Sequence, residues 1–279
     1  MSSVHDVTDP NTWGPAIDEA VNTVSRGGLV VLPTDTVYGI GADAFDAEAV
    51  AALLAAKGRG RQMPPPVLVP DVRTLDGLAT DVPDDARKLV EAFWPGGFTI
   101  ILQAQPSLQW DLGETHGTVA LRMPDHLAAL ALLRRTGPLA VSSANASGSP
   151  AALDVEDARA QLGDSVSIYL DGGDAPGGVA STIVDATGEH LRVVRQGAIT
   201  LEALNEVAPV RGVDDPASAA DATDATDATD EDATDEDATG DTDTGAGADA
   251  GPESGSAAPA AAETREDEPA ADRAEESAG

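Results

Sequence analysis

The sequence has no cysteine, so disulfide bridges, thiolate zinc sites and cysteine nucleophiles are all excluded. Its four histidines, His5, His116, His126 and His190, stand far apart instead of at the short spacings typical of metal ligands. We therefore expect no metal site built by the protein itself.

Long apolar runs are also missing, and none approaches the ~20 residues that a helix needs to cross a bilayer. The N-terminus carries Asp6 and Asp9 and lacks the basic and apolar segments of a secretory signal. The sequence therefore predicts a soluble cytoplasmic protein without a membrane-spanning segment.

Positive charge and aromatic residues are scarce. The chain has 14 basic and 27 acidic residues up to Val213, net −13, and 2 and 22 after it, net −20. Aromatic residues make up only 3% of the 279 residues. RNA-binding proteins normally present a basic surface and aromatic stacking platforms, so composition argues against RNA binding as the main role.

The end of the chain, residues 207–279, has the composition of a low-complexity tail. From Asp221 it repeats Ala-Thr-Asp, a three-residue period that matches neither a helix nor a strand, and this segment has no large apolar residue to bury. We predict a disordered acidic tail. A tolerated extension is favoured over an interaction segment, because composition alone identifies no partner.

Helical and strand patterns alternate over residues 11–206, after an N-terminal segment at residues 1–10. This alternation predicts one α/β (α+β) domain with a mixed central sheet flanked by helices, in which ligand sites lie at strand ends and loops. The predicted helices are Pro15–Arg26, Asp46–Lys57, Asp84–Phe93, Asp125–Arg135 and Asp154–Leu162. The predicted strands are Leu29–Leu32, Val67–Val69, Phe98–Leu102, Val119–Leu121, Leu139–Val141, Ser167–Leu170, Ile183–Asp185 and Leu191–Val194.

A polar segment, PTDTVYGIG at Pro33–Gly41, directly follows the apolar strand pattern at Leu29–Leu32. It brings hydroxyls, one carboxylate and two glycines together, so that backbone and hydroxyl donors can converge on a small anion. The segment therefore predicts a ligand-binding loop. Asp35 is compatible with an ordinary turn as well as with the site, and for Tyr38 we favour a core position beneath it.

Three cations, Lys57, Arg59 and Arg61, follow the apolar helix pattern at Ala47–Ala56. One cation there is explained by the negative end of the helix dipole. Three of them close together, in a part of the chain with a net negative charge and just before Pro64–Pro66, favour a site for a strongly anionic ligand such as a polyphosphate.

Neither common nucleotide-binding motif applies. The P-loop pattern G-x-x-x-x-G-K-[ST] is absent from the sequence. Gly39–Ala44 matches the relaxed dinucleotide pattern G-x-G-x-x-A, but Pro33–Thr36 separate it from the preceding strand and the next helix begins only near Asp46. We therefore interpret this match as a false positive.

Further polar groups follow later strand patterns, namely Arg122, Ser142–Asn145, Ser181–Thr182 and Arg195. Each of them alone is typical of a polar turn or a strand end. Their joint occurrence and order, together with the two earlier motifs, indicate one binding site.

Six blocks occur in order along the chain: PTDTVYGIGADA, KGRGRQMPPPVLV, VALRMPDH, SSANASG, STIVD and VVRQGAI. Together they resemble the short, single-domain form of the threonylcarbamoyl-AMP synthase (YrdC-like) family, over about residues 10–205. The resemblance implies a twisted, mixed α/β sheet with a positively lined concave face. It also implies an enzyme that converts ATP, L-threonine and bicarbonate to threonylcarbamoyl-AMP and pyrophosphate, for the modification of adenosine next to the anticodon of tRNAs that read codons beginning with A.

The residue types present suit the implied chemistry. A carbamate formed on the amine of threonine attacks the α-phosphate of ATP in line and expels pyrophosphate, so no protein nucleophile is needed. The protein has to hold two anions together and spread the charge that develops on phosphorus, with magnesium arriving with the ATP. The resemblance also implies a downstream tRNA threonylcarbamoyl transferase as partner, and at most a weak contact with tRNA itself.

Matching the blocks residue by residue implies a set of roles. Lys57 and Arg59 are implied as catalytic residues. Threonine binding is implied for Thr36, Arg122 and Ser181. Nucleotide binding is implied for Lys57, Arg59, Thr118, Ser143, Asn145 and Arg195, and no residue is implied as a metal ligand.

The sequence departs from longer members of the family in two ways. Their corresponding block ends in Asn-Pro-Leu-Ile-Val-His and supplies an Asn and a His to the substrates, whereas Met63 and Leu68 stand at those positions here. They also carry a second C-terminal domain over the site, where this chain has its acidic tail.

Two alternatives stay open: a non-catalytic RNA-binding protein of the same fold, and a relative that forms another carbamoyl adenylate.

Overall fold

The computed structural model describes residues 2–176 and 178–213, which form one mixed sheet with helices packed against it. The strands are β1 (Ser3–Asp6), β2 (Val30–Leu32), β3 (Gly39–Asp43), β4 (Val67–Leu68), β5 (Ala79–Thr80), β6 (Phe98–Ala104), β7 (Thr118–Arg122), β8 (Leu139–Ser143), β9 (Ile168–Asp171), β10 (Thr182–Asp185) and β11 (Arg192–Arg195). The helices are α1 (Gly14–Val24), α2 (Ala47–Ala56), α3 (Thr74–Leu78), α4 (Asp84–Phe93), α5 (Leu127–Thr136), α6 (Val155–Leu162) and α7 (Leu201–Val207).

The sheet has the strand order β1-β9-β2-β3-β8-β4-β7-β6-β10-β11, with the short β5 paired to β6. Parallel and antiparallel pairs are mixed: β2 runs parallel to β9, β3 antiparallel to β8, and β10 parallel to β6. Every strand and helix predicted from the periodicities is present, with its ends shifted by no more than about two residues. The prediction of an α/β fold with a mixed central sheet is confirmed.

Alternation along the strands decides which helices cover which face. In β2, Val30 and Leu32 belong to the core formed with α1 and α5, whereas Val31 belongs to the core formed with α2 and α6. In the other half of the sheet, inward residues such as Ile100 and Leu121 pack against α4 and α7. The alternate residues along these strands point to the opposite face of the sheet, where the candidate site is found.

β3 is a strand that the periodicities did not predict, because its two glycines lower strand propensity. Gly39 pairs with Ser143 of β8, and a Cβ atom on Gly39 would lie 2.7 Å from Cγ1 of Val141. Glycine is therefore required for the close approach of β3 to β8. Since Gly39–Asp43 is a strand and does not open a helix, the rejection of the dinucleotide motif is confirmed.

The folded part extends into both terminal segments that the sequence set apart. Ser3–Asp6 pairs in parallel with β9, at the edge of the sheet. After α7, Arg211 forms a parallel bridge with Arg192 of β11, so residues up to 213 run along the other edge. Residues 214–279, which hold the remainder of the predicted acidic tail, lie outside the described residues.

Candidate active site

A cavity of about 320 Å³ lies on the face of the sheet opposite α4 and α7. Its apolar floor is formed by one residue from each of five neighbouring strands: Val141 of β8, Leu68 of β4, Ala120 of β7, Ile101 of β6 and Ile183 of β10. Residues two positions away along a strand share the same face. The polar side chains next to this floor therefore meet in one cavity although they come from distant parts of the sequence.

The structure brings together seven of the nine residues that the sequence assigned to the site. Lys57 and Asn145 are buried outside the lining of the cavity. The seven residues on the lining are Thr36, Arg59, Thr118, Arg122, Ser143, Ser181 and Arg195.

Arg122, at the end of β7, is 8% exposed and is held by three acceptors. It donates from Nη2 to Oδ1 of Asp35 at 2.7 Å, from Nη1 to Oγ1 of Thr36 at 3.0 Å and from Nε to the carbonyl oxygen of Gly96 at 2.9 Å. Burial lowers the pKa of Arg122, and the charge of Asp35 opposes that shift. Asp35 is therefore the counter-ion that fixes Arg122, which is more than the role of an ordinary turn acid.

Arg59 and Arg195 also line the cavity, and neither forms an ion pair within the described residues. Arg59 donates to Oγ of Ser142 at 3.1 Å, and its buried Nε finds no acceptor in this part of the chain. Arg195 donates from Nε and Nη2 to the carbonyl oxygen of Ser181, at 3.1 and 2.9 Å. Burial lowers the pKa of both guanidiniums, and the charges of Arg122 and Arg59 lower that of Arg195 further. Such a cluster of cations favours an anionic ligand.

Lys57 lies at the C-terminal end of α2 and engages the loop at residues 143–145. Its ammonium donates to the carbonyl oxygens of Ser143 and Asn145, and to Oδ1 of Asn145 at 3.2 Å. The side-chain nitrogen Nδ2 of Asn145 donates to the carbonyl oxygens of Ala146 and Ser149, which follow it in the chain. Burial, followed by the charge of Arg59, lowers the pKa of Lys57 to about 8, so Lys57 is still protonated at neutral pH. Lys57 and Asn145 therefore hold in place the loop that carries Ser143.

Replacing Lys57 with methionine is expected to lower the free energy of unfolding by about 2 kcal/mol. The variant leaves buried acceptors without a donor, each costing roughly 1–3 kcal/mol, while removal of a buried charge offsets part of this loss. Urea-induced unfolding measures the change. Lys88→Met is the matched control, because Lys88 is the other lysine of the chain and is exposed, with its ammonium 2.7 Å from Asp85. Equal stability of the two variants would contradict the role of Lys57 in the loop.

Several hydroxyls around the cavity bond to one another. Thr34 donates to the carbonyl oxygen of Val37 at 2.7 Å, and its Oγ1 lies 3.1 Å from Oγ1 of Thr36. Thr99 lies on the lining with its Oγ1 2.8 Å from Oγ of Ser181. Thr99 was not predicted as a site residue, because it lies inside an ordinary strand pattern. These bonds fix the hydroxyls of Thr36 and Ser181.

Tyr38 is fully buried, as the sequence interpretation favoured. Its hydroxyl donates to the carbonyl oxygen of Gly173 at 2.6 Å and accepts from the N–H of Gly172 at 3.0 Å. Burial raises the pKa of Tyr38 to about 12, so the hydroxyl keeps its proton. Tyr38 thereby ties the ligand-binding loop to the end of β9.

Three residues of the cationic and proline-rich segment occupy different positions. Arg61 pairs with Asp111 on the surface at 2.7 Å, so Arg59 is the member of the Lys57, Arg59 and Arg61 group that lines the cavity. Leu68 is buried on the cavity floor, whereas Met63 is 44% exposed and lies outside the lining. An apolar floor therefore stands where the longer relatives were expected to supply an imidazole.

No described residues form a group of three or more His, Asp and Glu side chains that is placed to hold a metal ion. The described helices likewise include none with both the length and the apolar composition needed to cross a bilayer.

Comparison with known proteins gives consistent matches. A family model named Sua5_yciO_yrdC and described as telomere recombination matches residues 22–197. A protein of Mycobacterium tuberculosis (strain H37Rv), named provisionally as a threonylcarbamoyl-AMP synthase, is 55% identical over 210 residues, which are 75% of this chain and 97% of that protein. The threonylcarbamoyl-AMP synthase of Bacillus subtilis (strain 168) is 38% identical over 205 residues, covering 72% of this chain and 59% of that protein.

Solved structures agree with these matches. Pyrococcus abyssi Sua5 complexed with L-threonine has a TM-score of 0.72 and 32% identity, covering 76% of this chain and 62% of that chain. Escherichia coli YciO has a TM-score of 0.67 and 26% identity, covering 73% of this chain and all of that chain. All the site residues from Thr36 to Arg195 fall within the matched region. The chain belongs to the Sua5/YciO/YrdC family.

Proposed function

We propose that this chain is an L-threonylcarbamoyladenylate synthase, an enzyme that joins L-threonine, bicarbonate and ATP into threonylcarbamoyl-AMP and releases pyrophosphate. The observation that carries this proposal is the cavity, where Arg59, Arg122 and Arg195 surround a space with no described carboxylate on its lining. A reaction between two anions needs such a site. The 55% identity to a relative named for this activity, and the L-threonine bound by the Pyrococcus abyssi protein, support it.

The reaction needs positioning more than it needs a protein nucleophile. The amine of threonine adds to carbon dioxide from bicarbonate and loses a proton, which gives a carbamate. A carbamate oxygen then forms a bond to the α-phosphorus of ATP as the bond from that phosphorus to the pyrophosphate oxygen breaks. Holding the two anions in line converts a bimolecular encounter into a step within one complex.

The Arg122 side of the cavity fits threonine. Arg122 uses three of its five N–H groups on Asp35, Thr36 and Gly96, which leaves two for a carboxylate. Thr36 and Ser181 place hydroxyls on the same lining. We assign Thr36, Arg122 and Ser181 to the threonine, whose side-chain methyl group suits the apolar floor.

The Arg59 and Arg195 side fits the phosphates of ATP. These two guanidiniums have no carboxylate partner among the described residues, so their charges remain for the α-phosphate and for the leaving pyrophosphate. Thr118 and Ser143 add hydroxyls on the same lining. We assign these four residues to the nucleotide, with Lys57 and Asn145 acting through the loop that holds Ser143.

Magnesium is expected to arrive with ATP. The described lining of the cavity carries no Asp or Glu, so it offers no carboxylate ligand for the ion. The phosphate oxygens of ATP would hold magnesium, which then shares the charge of the polyphosphate when bound.

Pyrophosphate release by the purified full chain tests the proposal. ATP and magnesium are supplied throughout, and L-threonine and bicarbonate are added separately and together. We expect release only when both are present, because the attacking carbamate contains both. Release without threonine, or none in any mixture, would contradict the proposed activity.

Two further additions separate the alternatives. Turnover with carbamoyl phosphate in place of threonine and bicarbonate would indicate a relative that forms another carbamoyl adenylate. Salt-dependent tRNA binding without ATP turnover would indicate an RNA-binding protein. If the synthase activity is found, a tRNA threonylcarbamoyl transferase in the cytoplasm is the partner that consumes the product.

A further inference from the structure

A second polar cavity, of about 200 Å³, lies at the far end of the hairpin formed by β10 and β11. Ser181 and Arg195 of the catalytic cavity are at the near end, about 13 Å away at roughly 3.3 Å per strand residue. The second cavity shares no lining residue with the first. Its lining residues are Asp185, Thr187, Gly188, His190, Arg192 and Arg211.

The sheet places two arginines of this cavity next to each other. Arg192 pairs with Asp185 across the β10–β11 ladder and with Arg211 in a parallel bridge. The N–H of Val193 donates to the carbonyl oxygen of Arg211, and the N–H of Arg211 donates to that of Leu191, both at 2.9 Å. Directly paired residues present their side chains on the same face of a sheet. The backbone therefore fixes the arginines side by side at the edge.

The two arginines keep their charges unpaired in the described part of the chain. Neither Arg192 nor Arg211 forms an ion pair with a described residue, although like charges directly opposite each other destabilise a sheet. Asp185 is the cross-strand partner of Arg192, but its Oδ1 accepts from the N–H and the hydroxyl of Thr187, at 2.9 and 2.7 Å. The pair is thus available to an anion.

We infer that this cavity binds a small phosphate anion, either inorganic phosphate or pyrophosphate. Guanidiniums bind phosphate oxygens through paired N–H groups, and two of them outweigh the single carboxylate, Asp185, on the lining. The net charge of −33 repels an extended polyanion such as RNA, whereas a single phosphate group meets mainly the local charges. Phosphate binding here is independent of the proposed synthase activity.

A titration of the ¹⁵N-labelled full chain, followed by NMR, tests this site with sodium phosphate and with sodium pyrophosphate in separate series. We expect saturable shifts of the Gly188, His190 and Arg192 amides with at least one of the two anions, and the tighter binder of the two identifies the ligand. Arg192→Gln and Arg211→Gln are each expected to weaken this binding about tenfold, since each removes a charged donor.

Two arginine variants elsewhere serve as controls. Arg73→Gln removes the charge of an arginine whose side chain is 92% exposed, and it should leave phosphate binding at the second cavity unchanged. Arg59→Ala weakens anion binding in the catalytic cavity and should leave the shifts at Gly188 unchanged. A melting curve of each glutamine variant shows whether that variant folds. One folded variant is enough for the test, because both arginines are expected to contribute to phosphate binding.

Three results would overturn the inference. The first is equal binding by the wild type and a folded glutamine variant. The second is the absence of saturable shifts at the Gly188 amide with both anions. The third is tighter binding of a short RNA without terminal phosphates at the same amides, which would replace the small anion with a nucleic acid.

Discussion

Replacing Arg59 with alanine is expected to lower kcat/KM for pyrophosphate release about 100- to 1,000-fold. Losses of this size follow the removal of one preorganised donor to a charge that develops in the transition state. Arg59 lines the catalytic cavity and is free of ion pairs with described residues, so its charge is available to the phosphates of ATP. Steady-state release with ATP, L-threonine and bicarbonate measures the loss.

The same substitution should change the free energy of unfolding by less than about 1 kcal/mol. The buried Nε of Arg59 has no partner among the described residues, and the charge of Arg59 lowers the pKa of Lys57 and of Arg195. Removing the side chain of Arg59 removes a buried donor that has no acceptor, and it also removes the repulsion between Arg59 and the other two cations. These gains offset the lost hydrogen bond to Ser142, which is 3.1 Å long. We therefore expect Arg59 to add little to stability, as is common for residues that are kept for function.

Two further variants control the Arg59 experiment. Arg73→Ala removes an arginine whose side chain is 92% exposed, and normal turnover is expected. Arg59→Lys keeps the charge but loses the planar fork of donors, so an intermediate rate is expected. Normal turnover by Arg59→Ala would contradict the assignment of Arg59 to the nucleotide. A loss of several kcal/mol in its stability would indicate a structural role.

The fold was largely predictable from the sequence because most strands are short runs of buried aliphatic residues. Val30–Leu32 of β2 and the start of β6 at Phe98 follow this pattern. Strand β3 was not predicted, because its glycines allow a close approach to the neighbouring strand, and only the pairing in the sheet shows this approach. Strand β1 was not predicted either, because Ser3–Asp6 is polar and forms a strand by pairing with β9 at the edge of the sheet.

The residues of the candidate site could largely be predicted from the sequence, but the hydrogen-bond and ion-pair partners of their side chains could not. Lys57 and Ser143 are 86 positions apart, and only the folded chain shows that the ammonium of Lys57 is occupied by this loop. Asp35 resembles a turn residue in the sequence, yet it pairs with Arg122 at 2.7 Å. Thr99 lies within a strand pattern that carries no sign of a ligand. Hydrogen bonds between distant side chains are a tertiary property, so local patterns do not encode them.

Replacing Arg122 with methionine is expected to lower the free energy of unfolding by about 3–5 kcal/mol, the range found when one partner of a buried ion pair is removed. The side chains of Arg122 and Asp35 are 9% and 17% exposed, with 2.7 Å between nitrogen and oxygen. Without Arg122, the hydrogen bond from the N–H of Asp125 is the one described hydrogen bond that the carboxylate of Asp35 keeps. A poorly solvated charge is then left without a counter-ion. Urea-induced unfolding measures the change, with an unaltered m-value expected.

A double variant, Arg122→Met with Asp35→Asn, separates the unpaired charge from the lost packing. Removing both charges should recover part of the stability, because no buried charge is left without a partner. Turnover should be absent in both the single and the double variant, since Arg122 is the residue that we propose to bind the carboxylate of threonine. The exposed pair Arg87–Asp76, 2.8 Å apart with side chains 49% and 62% exposed, is the matched control, and breaking it should cost less than about 1 kcal/mol. Additive losses in the double variant would mean that Arg122 and Asp35 contribute independently, contrary to their contact.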